Sequence, residues 1–146
     1  NLKTLNTNIN RIDVTSAEEL FDASVKAFKS VNIAVLSAAV ADYKPAKVAN
    51  QKIKKNAGTK SLELIPTKDT LAELGKLKKS NQLLVGFALE TENEIVNAKT
   101  KIKNKNLDLI ILNSLNDSGA GFKTDTNKTK QRVDIKLRIM LFIKYL

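Results

Sequence analysis

The sequence predicts an α/β fold in a single domain, built on a mainly parallel sheet. Segment 83–113 carries most of that prediction. Leu83, Leu84 and Val85 form an apolar run that stops at Gly86, and Leu107, Leu109, Ile110, Ile111 and Leu112 form a second run that ends at Asn113. Short apolar runs bounded by turn residues suit buried strands. Between them Ile95, Val96, Ala98 and Ile102 recur at steps of roughly three and four, the pattern of a helix laid on a sheet. Strand, helix, strand requires a crossover, and a crossover makes the two strands parallel. The second observation is that helical and extended patterns alternate along the remaining chain, as they do in layered α/β domains. The third is composition: 42% hydrophobic residues with only 5 glycines and 2 prolines among 146 residues can fill one core and argue against a low-complexity chain.

The elements follow in order. Residues 1–10 are polar and rich in asparagine and read as a loop. Arg11-Ile12-Asp13-Val14 alternates and predicts a short strand. Thr15 or Ser16 then caps a helix whose first turn holds Glu18 and Glu19, charges suited to the helix dipole. Leu20, Phe21, Val25 and Phe28 form its buried stripe, to about Lys29. Residues 32–41, NIAVLSAAVA, predict a core strand closed by the turn Asp42-Tyr43-Lys44-Pro45, with the Asp42 carboxylate on a ligand-facing rim. Residues 46–60 read as a loop. Within it Lys52 and Lys54 share one face if the chain is extended; a phosphate grip and a solvated edge strand protected by lysines both fit that pattern. Residues 61–65, SLELI, predict a strand stopped by Pro66. Thr67 is the expected cap of a helix over 68–79 with Leu71, Leu74 and Leu77 inward. After the central strand–helix–strand unit, residues 114–127 form a glycine-containing loop, and 128–146 predict a terminal strand or hairpin. In parallel sheets ligands gather at the carboxyl ends of the strands. Here those ends are Gly86-Phe87-Ala88 and Asn113, and Lys99, Lys101, Lys103 and Lys105 form an expected lysine ladder beside the first.

Composition narrows the chemistry. The chain has neither cysteine nor histidine, which removes disulfides, the usual zinc sites and imidazole-based catalysis. Chemistry is left to lysine, carboxylate, hydroxyl, amide or an oxygen-held metal. No apolar run reaches the roughly 18 residues of a membrane span, and no signal or transit segment is visible. The chain opens on Asn1, and the expectation is a piece of a longer protein. Lysine and arginine number 25 against 15 acidic residues, a net charge of +10. Nucleic acid, an anionic membrane and phosphorylated small molecules would all suit that charge, and so would a plain solvated surface. Aromatic residues are 5% with no tryptophan, so the basic–aromatic interleaving of single-strand binders is missing. The strand–GxGxxG–helix signature of dinucleotide folds is also missing.

Four segments in order resemble the phosphopantothenate–cysteine ligase domain, the synthetase half of the bifunctional coenzyme A biosynthesis protein. They are AAVADYKP at 38–45, QKIKK at 51–55, GFALET at 86–91 and AKTKIKNKNLDLIILN at 98–113. The stretch 119–127, GAGFKTDTN, extends the likeness, which spans roughly residues 10–129. The resemblance implies a Rossmann-like three-layer fold, a cytoplasmic enzyme and a homodimer or higher oligomer, the latter through fusion to a decarboxylase domain. The family's opening strand, glycine turn and Asn-x-Ser-Ser-Gly segment is expected upstream of Asn1, so the chain is expected to lack part of its site. Residues 130–146 depart from the family's usual ending.

The implied reaction is a two-step ligation. The carboxylate of 4′-phosphopantothenate attacks the α-phosphate of CTP, and pyrophosphate leaves with Mg²⁺. The amine of cysteine then attacks the acyl-nucleotide. No resident metal site is implied, and FMN belongs to the separate decarboxylase domain. By the resemblance Lys101 is the catalytic residue, and Gly86, Phe87, Ala88, Lys101, Asn113 and Phe122 bind nucleotide. Asp42, Lys52 and Lys54 are candidates for substrate or phosphate, while Lys99, Lys103 and Lys105 are left mainly as surface charges. Three other readings compete: a nonenzymatic basic domain that binds nucleic acid, a generic nucleotide-binding α/β domain with different chemistry that takes ATP or NAD(P) rather than CTP, and an inactive fragment of the ligase. The first predicts strong salt dependence without nucleotide selectivity; the ligase reading expects neither membrane nor nucleic acid as partner.

Overall fold

The computed structural model describes residues 6–55, 58–114 and 129–131. Its elements are α1 (Ala17–Phe28), β1 (Ile33–Leu36), β2 (Tyr43–Pro45), β3 (Leu64–Pro66), α2 (Thr70–Leu77), β4 (Leu83–Glu90), α3 (Glu94–Asn104), β5 (Leu109–Ser114) and β6 (Thr129–Gln131). The main sheet has the order β1-β4-β5-β6, and β2 and β3 form a separate two-stranded ribbon. β1, β4 and β5 run parallel while β6 is antiparallel to β5. The sheet is thus mainly parallel with flanking helices, a Rossmann-like α/β fold as the sequence predicts.

β4 is the long central strand. Its side chains alternate between faces, and the two core clusters follow that alternation. Leu84 and Ala88 pack with Ile110, Leu112, Phe28, Leu74 and Ala98, so α1, α2 and α3 all reach this side. Val85 packs with Leu109, Ile111, Val35 and Phe87 on the other. Gly86 shares the helix-facing side; a Cβ there would sit 2.7 Å from Leu71 Cδ2 and 3.1 Å from Leu107 Cδ1. The first turn of the apolar run is therefore not a strand end. Gly86 lies mid-strand, chosen for close packing under α2, and β4 continues to Glu90.

Polar side chains fix the ends of the elements. The Asp108 carboxylate accepts from the Leu84 backbone N–H at 2.7 Å and from Lys78 Nζ at 2.9 Å, tying the start of β5 to β4 and to the end of α2. Gln82 is buried with all its groups used: its amide donates to the carbonyls of Phe28 and Val31 and its oxygen accepts from the Lys79 N–H. Ser16 caps α1 by accepting from Glu19 N–H, while Glu19 reaches back to the Thr15 N–H and hydroxyl, a reciprocal cap shifted one residue outward.

Several expectations are corrected. Residues 11–14 are extended in sequence pattern but join no ladder, and Ile12 is exposed; an alternating tetrapeptide makes a strand only where a neighbour offers an edge. The run 32–41 yields only the four residues of β1; beyond Leu36 the small residues leave the sheet. β3 starts at Leu64 and includes Pro66, which is tolerated because a two-stranded ribbon has a free edge. Thr67 does not cap α2. Its hydroxyl donates to the Ala41 carbonyl and its N–H to Asp42, while Asp69 caps by accepting from Ala72 N–H at 2.9 Å. Leu77, Ile95 and Val96 are exposed rather than inward.

Gly75 on α2 lies against the C-terminal end of α3: a Cβ would lie 1.9 Å from the Lys105 carbonyl oxygen, and Asn106 Nδ2 donates to the Gly75 carbonyl at 2.9 Å. In an open helix Gly→Ala stabilises by about 1 kcal/mol. Here the sign reverses: Gly75→Ala is expected to lower unfolding free energy by about 2 kcal/mol or more, read from urea denaturation. A stabilised variant would show that α2 and α3 do not approach as described.

Candidate functional site

β4 outruns its neighbour. The β1–β4 register ends at Leu36 opposite Gly86, whereas β4 continues through Phe87, Ala88, Leu89 and Glu90 against β5. The chain after Leu36 turns away over the step, and a cavity of about 840 Å³ opens at these carboxyl ends. Ser37, Ala38 and Ala39 form one wall, Phe87, Ala88 and Leu89 the floor, the start of α2 at Lys68, Asp69 and Thr70 another wall, and Lys101 of α3 with Lys105 at its C-cap the basic side. Strand ends next to a helix start are where parallel sheets hold anionic ligands.

The lysine ladder resolves into two faces. On a helix, residues two apart point in nearly opposite directions and residues four apart share a side. Lys101 and Lys105 both line the cavity, whereas Lys99 and Lys103 are exposed away from it. Lys101 pairs with Glu90 Oε1, and Lys105 pairs with Asp69 Oδ2 at 2.8 Å. Lys105, left among surface charges by the sequence, is a cavity residue; its four-residue spacing from Lys101 was the available signal. Loss of solvent pushes the Glu90 carboxyl up, but hydrogen bonds from Lys101 and Asn97 outweigh this and hold it below its ordinary value. Asp69 follows the same balance: burial raises it, and Lys105 with the cap N–H of Ala72 brings it down overall. Both carboxylates are therefore ionised near neutral pH.

The remaining predicted residues divide. Phe87 and Ala88 are on the floor, and Asp42 is on the rim, held through its carbonyl by Thr67 N–H at 2.8 Å. Gly86 supports the floor from within the sheet. Asn113 stands in register with Leu89, on the face opposite Lys101 and Glu90; its Oδ1 is buried without a hydrogen-bond partner among the described residues. An unpaired buried acceptor costs about 1–3 kcal/mol, so this oxygen is open to an N–H or O–H donor. Lys52 and Lys54 are exposed in irregular chain and do not line the cavity. Phe122 and residues 119–127 lie outside the described residues, as does most of the 130–146 tail.

A second charged group closes the rim. Glu18 of α1 bridges Lys44 at 2.5 Å and Lys68 at 2.6 Å, and Lys68 Nζ lies 4.7 Å above the Phe21 ring. The Lys44 and Lys68 hydrogen bonds lower the Glu18 carboxyl from its ordinary 4.5 to about 2. Because the folded value is depressed, its stabilisation is complete above pH 4.5 and fades as pH falls toward 2. Glu18→Gln should therefore flatten the decline of melting temperature across that interval, and added salt should blunt the wild-type decline. Equal acid sensitivity in both proteins would remove Glu18 as its source.

A family model described as DNA/pantothenate metabolism flavoprotein C-terminal domain matches residues 1–135. A protein named cysteine/cysteine sulfinic acid decarboxylase, from an unknown prokaryotic organism, is 58% identical over 120 residues, which is 82% of this chain and 33% of that protein. The coenzyme A biosynthesis bifunctional protein CoaBC of Bacillus subtilis (strain 168) is 45% identical over 116 residues, 80% of this chain and 28% of that protein. The solved C-terminal domain of a coenzyme A biosynthesis bifunctional protein CoaBC superposes with a TM-score of 0.59 at 35% identity, over 70% of this chain and 46% of that one. The chain thus spans 33% and 28% of the lengths of these two curated relatives.

Proposed function

Because the chain belongs to the family of DNA/pantothenate metabolism flavoprotein C-terminal domains, we propose that it serves coenzyme A biosynthesis by ligating 4′-phosphopantothenate to cysteine at the expense of CTP. The observation that carries this reading is Lys101 at the basic side of the strand-end cavity, facing a floor of Phe87 and Ala88. The relatives named CoaBC support it. The relative named as a decarboxylase has two thirds of its length outside the match, and the matching family model is that of a C-terminal domain.

In the first step a carboxylate oxygen of 4′-phosphopantothenate forms a bond to the α-phosphorus of CTP, and the bond to the bridging oxygen breaks to release pyrophosphate. In the second the cysteine amine adds to the acyl carbon, a proton is lost and CMP departs, leaving phosphopantothenoylcysteine. Neither step needs a protein nucleophile. Both need positive charge where oxygen charge accumulates and reactants held in line. Lys101 has three N–H donors. Glu90 uses one of them, which leaves two for phosphate oxygens. Lys105 sits one turn further along the same face. The floor at 87–88 lies past the end of β1, so its backbone edge is available to read a base; Asn113, on the other face of the sheet and outside the cavity lining, stays a nucleotide-binding candidate through its unpaired oxygen. Asp42, Lys52 and Lys54 remain candidates for substrate or phosphate, with Asp42 alone of these on the cavity rim.

Among the described residues no group of three or more acidic, histidine or cysteine side chains could hold a metal ion. Mg²⁺ in this reading arrives with the triphosphate as part of the substrate, which suits an ion bound mainly through phosphates and water. FMN is assigned no place in this chain. No described helix is long and apolar enough to cross a membrane, and we place the activity in the cytoplasm in a homodimer or larger assembly.

Calorimetric titration with CTP, ATP and a short oligonucleotide, each with Mg²⁺, tests the reading. CTP should bind in preference to ATP, and Lys101→Ala should weaken it about tenfold or more, the ~1.4 kcal/mol or more expected for a hydrogen bond to a charged group. Tight, salt-sensitive binding of the oligonucleotide with no response to CTP would assign the +10 charge to nucleic acid and overturn the ligase reading.

A further inference from the structure

We infer that Glu90 is the positioning residue for Lys101 and that Asn97 holds Glu90 for that task. The role of the lysine rests on the ligase reading above; the positioning itself rests on geometry alone.

Glu90 is the last residue of β4 and stands on the helix-facing side of the sheet, in register with Ser114. Its side chain is only 13% exposed, against 42% for Lys101. Both carboxylate oxygens are engaged: Oε1 receives Lys101 Nζ, and Oε2 accepts from Asn97 Nδ2 at 3.1 Å. The same Asn97 amide donates to the Glu92 carbonyl at 3.0 Å. Asn97 and Lys101 are four apart on α3 and so share a side. One amide thus grips the strand-to-helix turn and the carboxylate together. This support is needed because the α3 N-cap, Asn93, adopts φ 48° and makes no side-chain cap bond.

The arrangement differs from an ordinary surface ion pair. An exposed pair leaves both partners mobile and contributes little. Here one partner is nearly buried, rigid and doubly bonded, and the other is the side chain with the most rotamer freedom to lose. The strand end therefore fixes where the ammonium sits before any ligand arrives, which is how a positioned group gains effectiveness. The contrast with Lys105 is informative. Its partner Asp69 is 49% exposed and spends its carboxylate on the α2 cap as well, so Lys105 is held by a group with another structural duty.

The test separates positioning from nucleotide chemistry. The amine of Lys101 is acylated with a small water-soluble reagent in the full chain, and the rate at that residue is followed by mass spectrometry for wild type, Glu90→Gln and Asn97→Ala. CTP titration and thermal melting accompany each. Glu90→Gln keeps the shape and removes the charge; Asn97→Ala keeps the charge and removes its support. The expected result is faster acylation of Lys101 in both variants, larger in Glu90→Gln, with CTP affinity reduced about tenfold in Glu90→Gln and melting temperatures close to wild type. Unchanged acylation in both variants overturns the inference. Accelerated acylation in proteins that never bind CTP supports the positioning and sinks the ligase reading, so the two failures are told apart. If Glu90→Gln does not fold, Asn97→Ala alone decides by the same rate.

Discussion

The site exists because one strand is longer than its neighbour. β4 has 8 residues and β1 has 4, and the parallel register between them starts at Ile33 opposite Leu83. A parallel pair in register from its amino end must show all its mismatch at the carboxyl end. That is where the floor is exposed, where the chain after Leu36 is free to turn, and where the last residue of β4 can address α3. Every contact that fixes the start of β4 therefore fixes the site at its far end. The half-buried Asp108 and the buried Gln82 do so through hydrogen-bonded polar groups, and they lie at the opposite end of the sheet from the cavity.

The sequence made the core of this plan legible and its edges obscure. The two apolar runs and the helix between them announce β4, α3 and β5 because each is a local pattern whose partner lies next to it in the chain. The stripe of α1 and the acidic first turn are read for the same reason. What failed were segments whose state is decided by distant chain. Arg11-Ile12-Asp13-Val14 has strand character but no edge beside it. Asp69 and Thr67 compete for the α2 cap, and the choice falls to Asp69 because Thr67 is engaged by Ala41 and Asp42 across the ribbon. Gly86 resembles a stop signal in one dimension and is a packing residue in three, since the reason for it, Leu71 and Leu107, lies in other elements.

The lysine-rich stretch shows how a period turns composition into chemistry. Four lysines at every second position look like one row if the chain is imagined extended. Wound at 3.6 residues per turn, they separate into a pair that faces the cavity and a pair that faces solvent. Only the first pair meets carboxylates positioned by the sheet and by α2. The net charge of the chain therefore says little about the cavity, whose two lysines are each partly neutralised by a neighbouring carboxylate. A paired lysine has a weaker field at a distance than a free one and keeps its remaining N–H donors for contact.

Gly75 connects the placement of these lysines to the packing of the helices. Its lack of a side chain lets the end of α3 approach α2 so closely that the Lys105 carbonyl lies where a Cβ would stand, and Asn106, in the left-handed region at φ 50°, turns to bond the Gly75 carbonyl. The last turn of α3 is thereby locked to α2, while its first turn is locked to β4 through Asn97 and Glu90. Lys101 lies between these two anchors, and Lys105 stands at the second. A helix fixed only at one end would swing its middle by a few degrees of tilt; fixed at both, it can present two ammonium groups one turn apart at a constant height above the floor. That spacing is a property of the α-helix itself, so the fold's contribution is to keep the helix still.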